Sequence, residues 1–165
     1  MNSRLTATTL RFHLNYDPAT GLFYRRLAGN TYKPGDLAGG RQTTGYISIS
    51  VCGKMYYAHR LAWLYMLGEW PATQLDHKNQ DCSDNRWDNL RVATHAQNNQ
   101  NKPARVDNKS GAVGVSWRKS HKLWQARITV AGRDIHLGYF PRKEEAIAVR
   151  VIAAAKYHGE FATQD

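Results

Sequence analysis

Cysteine is nearly absent: Cys52 and Cys82 are the only two in 165 residues. Two thiols form neither a four-cysteine zinc cluster nor the disulfide framework of a small secreted domain, so a reducing, cytoplasmic setting is expected. No apolar run approaches the roughly 20 residues needed to cross a bilayer. Residues 1–11 lack the apolar stretch of a signal peptide, and none is expected there. No internal repeat or low-complexity tract is visible, which excludes solenoids and propellers. Acidic residues are scarce, with 13 Asp and Glu against 23 Lys and Arg, for a net charge of +10. Such a balance suits a polyanionic partner, nucleic acid or an anionic membrane surface, and says little about fold.

What is present reads as globular, with 42% hydrophobic and 22% charged residues. The charge is uneven. The two flanks are basic, whereas residues 76–110 hold six basic and five acidic side chains, with Asp76, Asp81, Asp84 and Asp88 close together. A polyanion binder has no use for local carboxylates unless they hold a cation or brace a loop.

Three segments follow from the patterning. Residues 1–72 are expected to form a β-rich region with one helix. A turn at Asp17, Pro18 and Gly21 leads into a strand-like run, and "GYISISVCGKMYYAHR" predicts two strands turning near Gly53. His59 to Leu67 predicts a helix with Leu61, Leu64, Tyr65 and Leu67 on its apolar stripe, stopped by Gly68 and Pro71. Residues 73–105 begin with a short strand ending in Leu75-Asp76-His77. The polar loop "KNQDCSDNRWDN" follows, braced by its own Asn and Asp side chains. Thr94 and Gln97 make a capping-box pattern, which predicts a helix from His95 to about Lys102, stopped at Pro103. After a linker, residues 106–165 carry three strands, "AVGVSWRK", "LWQARITV" and "RDIHLGYF". Turns are expected at residues 120–122 and 131–133. A helix over Glu144–His158 presents Ala146, Val149, Ala153 and Tyr157 on one face.

The chemistry resides in Asp76, His77, Asn89 and Asn98. Each is weak alone; the spacing carries the signal. The Asp-His pair ends a strand, Asn89 lies 12 positions after His77, and Asn98 lies 9 positions further on, in the first helical turns. A hairpin followed by a helix brings one strand end against one helix face. Asp76 and Asn98 would then share a hard cation through oxygen ligands, with His77 directed to an adjacent phosphate.

The stretch "LDHKNQDCSDNRWDNLRVATHAQNNQNK" resembles the HNH, or ββα-metal (His-Me finger), motif of phage-type homing endonucleases, and "HRLAWLYMLGEWP" upstream resembles them too. The resemblance covers residues 16–102. It implies that His77 is the general base, that Asp76 and Asn98 are metal ligands, and that Asn89 ties the loop and orients the base. The last position is Asn98 rather than the His common in the wider superfamily, and a carboxamide favours Mg²⁺ or Mn²⁺ over zinc. A neutral imidazole takes a proton from water near pH 7, and a cation offsets charge growing on a scissile phosphate.

Residues 110–162, "SGAVGVSWRKSHKLWQARITVAGRDIHLGYFPRKEEAIAVRVIAAAKYHGEFA", resemble an ethylene-response-factor-type DNA-binding domain. That family packs a three-stranded sheet on one helix and lays the sheet in the major groove. Arg118 matches a DNA-contacting position of the family. Ser116 and Thr129 stand where plant members carry arginines, so their base preference does not transfer. Arg118, Lys119, Arg127 and Arg133 are candidate contacts to bases or phosphates. His121 and His136 are read as turn and strand-surface residues, and Trp124 as sheet core.

The expectation is therefore an α+β protein in three parts: the N-terminal β-rich region, a ββα-metal nuclease core, and a three-stranded antiparallel sheet packed on one helix. Its expected function is metal-dependent hydrolysis of duplex DNA, homing-type and site-preferring, with double-stranded DNA as partner. The rival reading is a DNA-binding regulator with an inactive nuclease core. A second rival is an RNA-binding or RNA-cutting protein, which the duplex-DNA resemblance of residues 110–162 disfavours.

Overall fold

The computed structural model describes residues 4–101 and 108–162, which divide into two compact units, Met1–Ala93 and Thr94–Asp165. The α+β class expected from the sequence is what is observed.

The first unit opens with a helix that the strand patterning did not suggest. α1 (Ala7–His13) is capped by Thr6, whose Oγ accepts from the Thr9 N–H at 3.2 Å. Leu10, on its inner face, and Leu14, just past its end, are fully buried. The chain continues into β1 (Leu14–Asp17), which pairs with β2 (Leu22–Arg25) in an antiparallel hairpin. The turn is held by Asp17, whose carboxylate accepts from the Ala19 N–H and the Thr20 hydroxyl. β3 (Gly40–Arg41), β4 (Ile47–Val51) and β5 (Lys54–Tyr57) form a second sheet in sequence order.

α2 (Ala58–Leu67) follows directly and ends as expected, with Gly68 in the left-handed region at φ 82° and its N–H bonded to the Leu64 carbonyl at 3.0 Å. Leu61 and Leu64 point inward, whereas Leu67, read as part of the same stripe, is 51% exposed. These elements surround one core in which Leu10, Leu14, Tyr16, Phe23, Ile49, Leu61 and Leu64 meet. Each such side chain contributes about 1.5–3 kcal/mol on burial. Leu90 joins this core. It opens β7 (Leu90–Ala93), which pairs with β6 (Gln74–His77), so the core anchors the hairpin that carries the candidate site.

The second unit begins with α3 (His95–Gln100), whose capping box forms as the Thr94 and Gln97 pattern predicts. The expected continuation to Lys102, and most of the expected linker, lie outside the described residues. β8 (Val115–Arg118), β9 (Leu123–Val130) and β10 (Arg133–Phe140) form an antiparallel sheet with β9 in the centre. α4 (Lys143–His158) covers one face of it. Ala146, Ala153 and Ala154 are buried against Ala126 and Ile128, and these small side chains let helix and sheet approach closely. Trp124 packs at the edge of this core as expected, while Trp117 is 45% exposed. At the helix end, His158 Nε2 donates to the Thr129 carbonyl at 3.0 Å and ties α4 to β9.

Candidate functional site

The antiparallel register of β6 and β7 sets Asp76 opposite Arg91 and His77 opposite Leu90. Asp76 is 5% exposed; its Oδ2 accepts from Arg91 Nε at 2.9 Å, and Arg91 Nη2 lies within ion-pair distance at 2.7 Å. A buried carboxylate held by a guanidinium has a fixed orientation.

The polar loop between the strands is braced by its own amides, as its composition predicts. Asn89 is the central clamp. Its backbone carbonyl accepts from the Lys78 N–H at 2.9 Å, and its Oδ1 accepts from the Asn79 N–H at 3.0 Å. Its Nδ2 donates to Asn79 Oδ1 at 2.9 Å and to the Asp84 carbonyl at 2.8 Å. Asp84 in turn grips Arg86 and Asn79, and the Arg86 guanidinium beside it pulls its carboxyl down to about 2. Asn89 thus ties the loop, which is half of the role the resemblance implies.

The residue that turns toward the imidazole is Asn85, which sequence reasoning did not single out. Asn85 is 2% exposed, and its Oδ1 lies 3.4 Å from His77 Nε2. Its Nδ2 donates to the Ser83 carbonyl at 2.9 Å, so the amide oxygen is the atom that faces the ring. An amide oxygen only accepts, which puts the imidazole proton on Nε2 and the lone pair on Nδ1. The Asn85 backbone carbonyl accepts from the buried Tyr16 hydroxyl at 2.7 Å, and the Trp87 N–H donates to the Pro18 carbonyl at 3.0 Å. The loop therefore rests on the β1–β2 hairpin. Gly21, at φ 75°, makes the approach possible, since a Cβ there would stand 2.4 Å from Asn85 C and Arg86 N.

His77 is more enclosed than its expected role beside a phosphate suggests. The ring is 4% exposed and lies edge-on to His59, with centroids 5.2 Å apart, and 6.0 Å from Tyr46. His59 is itself stacked on Tyr57 at 5.6 Å and packed against Tyr46 at 5.3 Å. Burial lowers the basicity of both imidazoles, and His59 falls to about 3. His59 is 7% exposed, and its Nδ1 makes no hydrogen bond among the described residues.

Asn98, the other expected ligand, is half-buried on α3 in the second unit, where its N–H makes the helical bond to the Thr94 carbonyl at 2.9 Å. Among the described residues no group of three or more His, Cys, Asp or Glu side chains is placed to hold a metal ion. A carboxylate and a carboxamide oxygen are both hard donors, and neither is a zinc-type thiolate or imidazole ligand. Donors of this chemistry suit a hard divalent cation that keeps several waters, as Mg²⁺ does.

The face of the second unit's sheet away from α4 carries Arg118 and Arg127. Arg118 Nε donates to Gln125 Oε1 at 2.6 Å, and Gln125 Nε2 lies 3.1 Å from His136 Nδ1. Arg127 and Asp134 pair at 3.2 Å, and Asp134 also accepts from the Thr129 hydroxyl at 2.5 Å. His121 stacks on Tyr139, whose ring also contacts His136. Lys119 and Arg133 are exposed, and Arg133 stands opposite Val130, on the α4 side of the sheet.

Residues 56–100 match the family model for HNH endonuclease, and this span contains Asp76, His77, Asn89 and Asn98. Protein 3.8 of Escherichia phage T7 is 29% identical over 90 residues, which cover 53% of this chain and 72% of that protein. A solved structure described as "DNA binding and cleavage by the HNH homing endonuclease I-HmuI" aligns with 88% of this chain and 85% of its own, at 22% identity and a TM-score of 0.42. No described helix is long and apolar enough to cross a membrane.

Proposed function

We propose that the chain is a metal-dependent HNH endonuclease that hydrolyses phosphodiester bonds in duplex DNA with a preference for particular sites. The observation that carries the reading is the Asp76-His77 pair on β6 beneath a loop clamped by Asn89, inside the span that matches the HNH endonuclease model. In this reading residues 73–105 form the nuclease core and residues 106–165 a DNA-binding domain similar to the ethylene-response-factor type.

Asp76 and Asn98 would hold Mg²⁺ or Mn²⁺, with water and phosphate oxygens completing the set. When bound, such an ion offsets the charge that develops on the scissile phosphate and on the leaving oxygen. His77 takes a proton from the attacking water at Nδ1, since Nε2 is turned to Asn85. Arg91 fixes Asp76, and Asn89 with Asn85 holds the loop against the base. Arg118 and Lys119 would contact duplex DNA, Arg133 would reach phosphate from the β9–β10 hairpin end, and Arg127 would join them only when released from Asp134.

The test is plasmid cleavage by the full chain with Mg²⁺, with EDTA, and in the His77→Ala variant. The expected result is nicking or linearisation with Mg²⁺, none with EDTA, and none from His77→Ala, while that variant binds duplex within a few-fold of the parent. Binding without cleavage under every metal condition favours the DNA-binding regulator instead. Full activity in His77→Ala removes the imidazole from the reaction.

A further inference from the structure

The three residues Arg118, Gln125 and His136 lie on neighbouring strands of one exposed sheet face, and their hydrogen bonds admit a single arrangement of protons. An arginine side chain has donors and no acceptor. The atom of Gln125 that meets Arg118 Nε at 2.6 Å is therefore its oxygen. The Gln125 amino group then faces His136 and donates to Nδ1 at 3.1 Å. An imidazole that accepts at Nδ1 carries its proton on Nε2. Arg118 thus fixes which way the Gln125 amide points, the amide selects the His136 tautomer, and the bond to His136 holds Gln125 in the orientation that grips the Arg118 guanidinium.

The outcome on the surface is a row of donors. Arg118 is bound at Nε, and among the described residues its Nη groups make no hydrogen bond. His136 presents Nε2–H and is supported by the Tyr139 ring, with centroids 4.7 Å apart. The next rung of the same face is different. Arg127 and Thr129 both spend themselves on Asp134, so that rung offers a nearly neutral, internally satisfied patch. A row of donors with no acceptor complements the guanine edge in the major groove, where N7 and O6 are both acceptors. Adenine places an amino donor at the corresponding position.

We infer that Gln125 and His136 are positioning residues for base specificity. They lock Arg118 as a fork for guanine in duplex DNA, and His136 Nε2–H extends the row toward the neighbouring base. The inference rests on the proposal that this sheet face meets DNA, and it goes beyond that proposal by naming a base and two residues outside the set of basic contacts. Neither residue adds charge, so their effect separates from affinity for phosphate.

The experiment selects preferred duplexes from a randomised pool with the full chain in EDTA, then measures binding to the best site and to single-base variants at several salt concentrations. The wild type is expected to require guanine at one position by at least tenfold over adenine. Gln125→Leu and His136→Ala are expected to lose most of that discrimination there alone, with the slope of affinity against salt unchanged. Gln125→Glu, which keeps an acceptor for Arg118, is expected to retain more discrimination than Gln125→Leu. Far-ultraviolet circular dichroism and the midpoint of thermal unfolding confirm that each variant is folded. Wild-type discrimination in folded Gln125→Leu overturns the inference, as does a selected site without guanine. Arg118→Glu separates the two levels of argument. Unchanged duplex affinity in that variant removes the sheet face as the DNA surface altogether, whereas weakened affinity with an indifferent Gln125→Leu removes only the positioning role.

Discussion

The guanidinium of Arg91 stands across the hairpin from Asp76 and holds one oxygen of that carboxylate with two nitrogens, at 2.9 Å and 2.7 Å. Both side chains are almost fully buried, so the pair is an obligate one. Removing the cation strands an ionised carboxylate in the interior, which costs about 3–5 kcal/mol. Arg91→Leu is therefore expected to lower the thermal midpoint markedly in EDTA. If Asp76 is a metal ligand, millimolar Mg²⁺ recovers part of that loss, because the ion supplies the missing positive charge. Thermal unfolding with and without Mg²⁺ reads this directly. A midpoint indifferent to Mg²⁺ in the variant counts against Asp76 as a ligand, independently of any cleavage assay.

The loop that faces His77 depends on a residue far from it in sequence. Gly21 permits the backbone of Asn85 and Arg86 to lie on the β1–β2 turn, with a left-handed φ of 75° and no room for a Cβ. Gly21→Ala is expected to destabilise the protein by about 1–3 kcal/mol. It should also cut plasmid cleavage by tenfold or more, because the displaced Asn85 no longer sets the His77 tautomer. Tyr16→Phe removes one hydrogen bond from the same loop, at about 1 kcal/mol, and leaves the backbone path intact. A ranking in which Tyr16→Phe harms cleavage more than Gly21→Ala would break this account of the loop.

Burial of His59 makes stability depend on pH in a defined direction. The ring takes a proton at about 3 in the folded chain and near 6.5 when unfolded. Between those values the unfolded chain binds the additional proton, so acid favours unfolding. The contribution is fully present above about pH 6.5 and is lost as pH falls toward 3, at up to about 1.4 kcal/mol per pH unit. His77, lowered in the same direction by its own burial, steepens the loss. His59→Phe keeps an aromatic ring beside Tyr57 and Tyr46 and is expected to flatten the profile between pH 6 and pH 4. Urea titrations at several pH values measure the slope. An unchanged slope in the variant would place the acid sensitivity elsewhere.

Much of this architecture was readable in the residues because local chemistry dictates it. The capping box at Thr94, the glycine stop at Gly68 and the alternation in β9 and β10 are decided within a few positions. The Asp76-His77 pair was readable as the end of a short strand, whereas the Asn89 clamp was implied by the resemblance to the HNH motif. Arg91 could have been found by counting, since closing the hairpin at His77 and Leu90 sets residue 91 opposite residue 76. Asn85 had no such signal, because five other Asn or Asp side chains crowd the same loop. Its role is decided by Tyr16 and Gly21, which lie over 60 positions away in the chain. α1 was hidden by its brevity: a short stretch with two threonines and a phenylalanine has weak helical propensity, and burial of Leu10 supplies what propensity does not.

The pair between Arg127 and Asp134 gives the sheet face a built-in restraint on DNA affinity. Both side chains are more than half exposed, so the pair contributes little to the fold, at most about 1 kcal/mol. Its larger effect is on charge. Asp134 sits among the residues expected to meet phosphate and holds an arginine that would otherwise be available to the duplex. Asp134→Asn is therefore expected to leave the thermal midpoint nearly unchanged while strengthening duplex binding several-fold at low salt. The slope of log affinity against log salt should steepen by about one, the signature of one more phosphate contact. Discrimination at the guanine position should stay as it was, because Arg118 and Gln125 are untouched. A variant whose affinity falls would mean that Asp134 itself contacts DNA, as an acceptor for a cytosine amino group, and the assignment of this rung as a silent patch would be wrong.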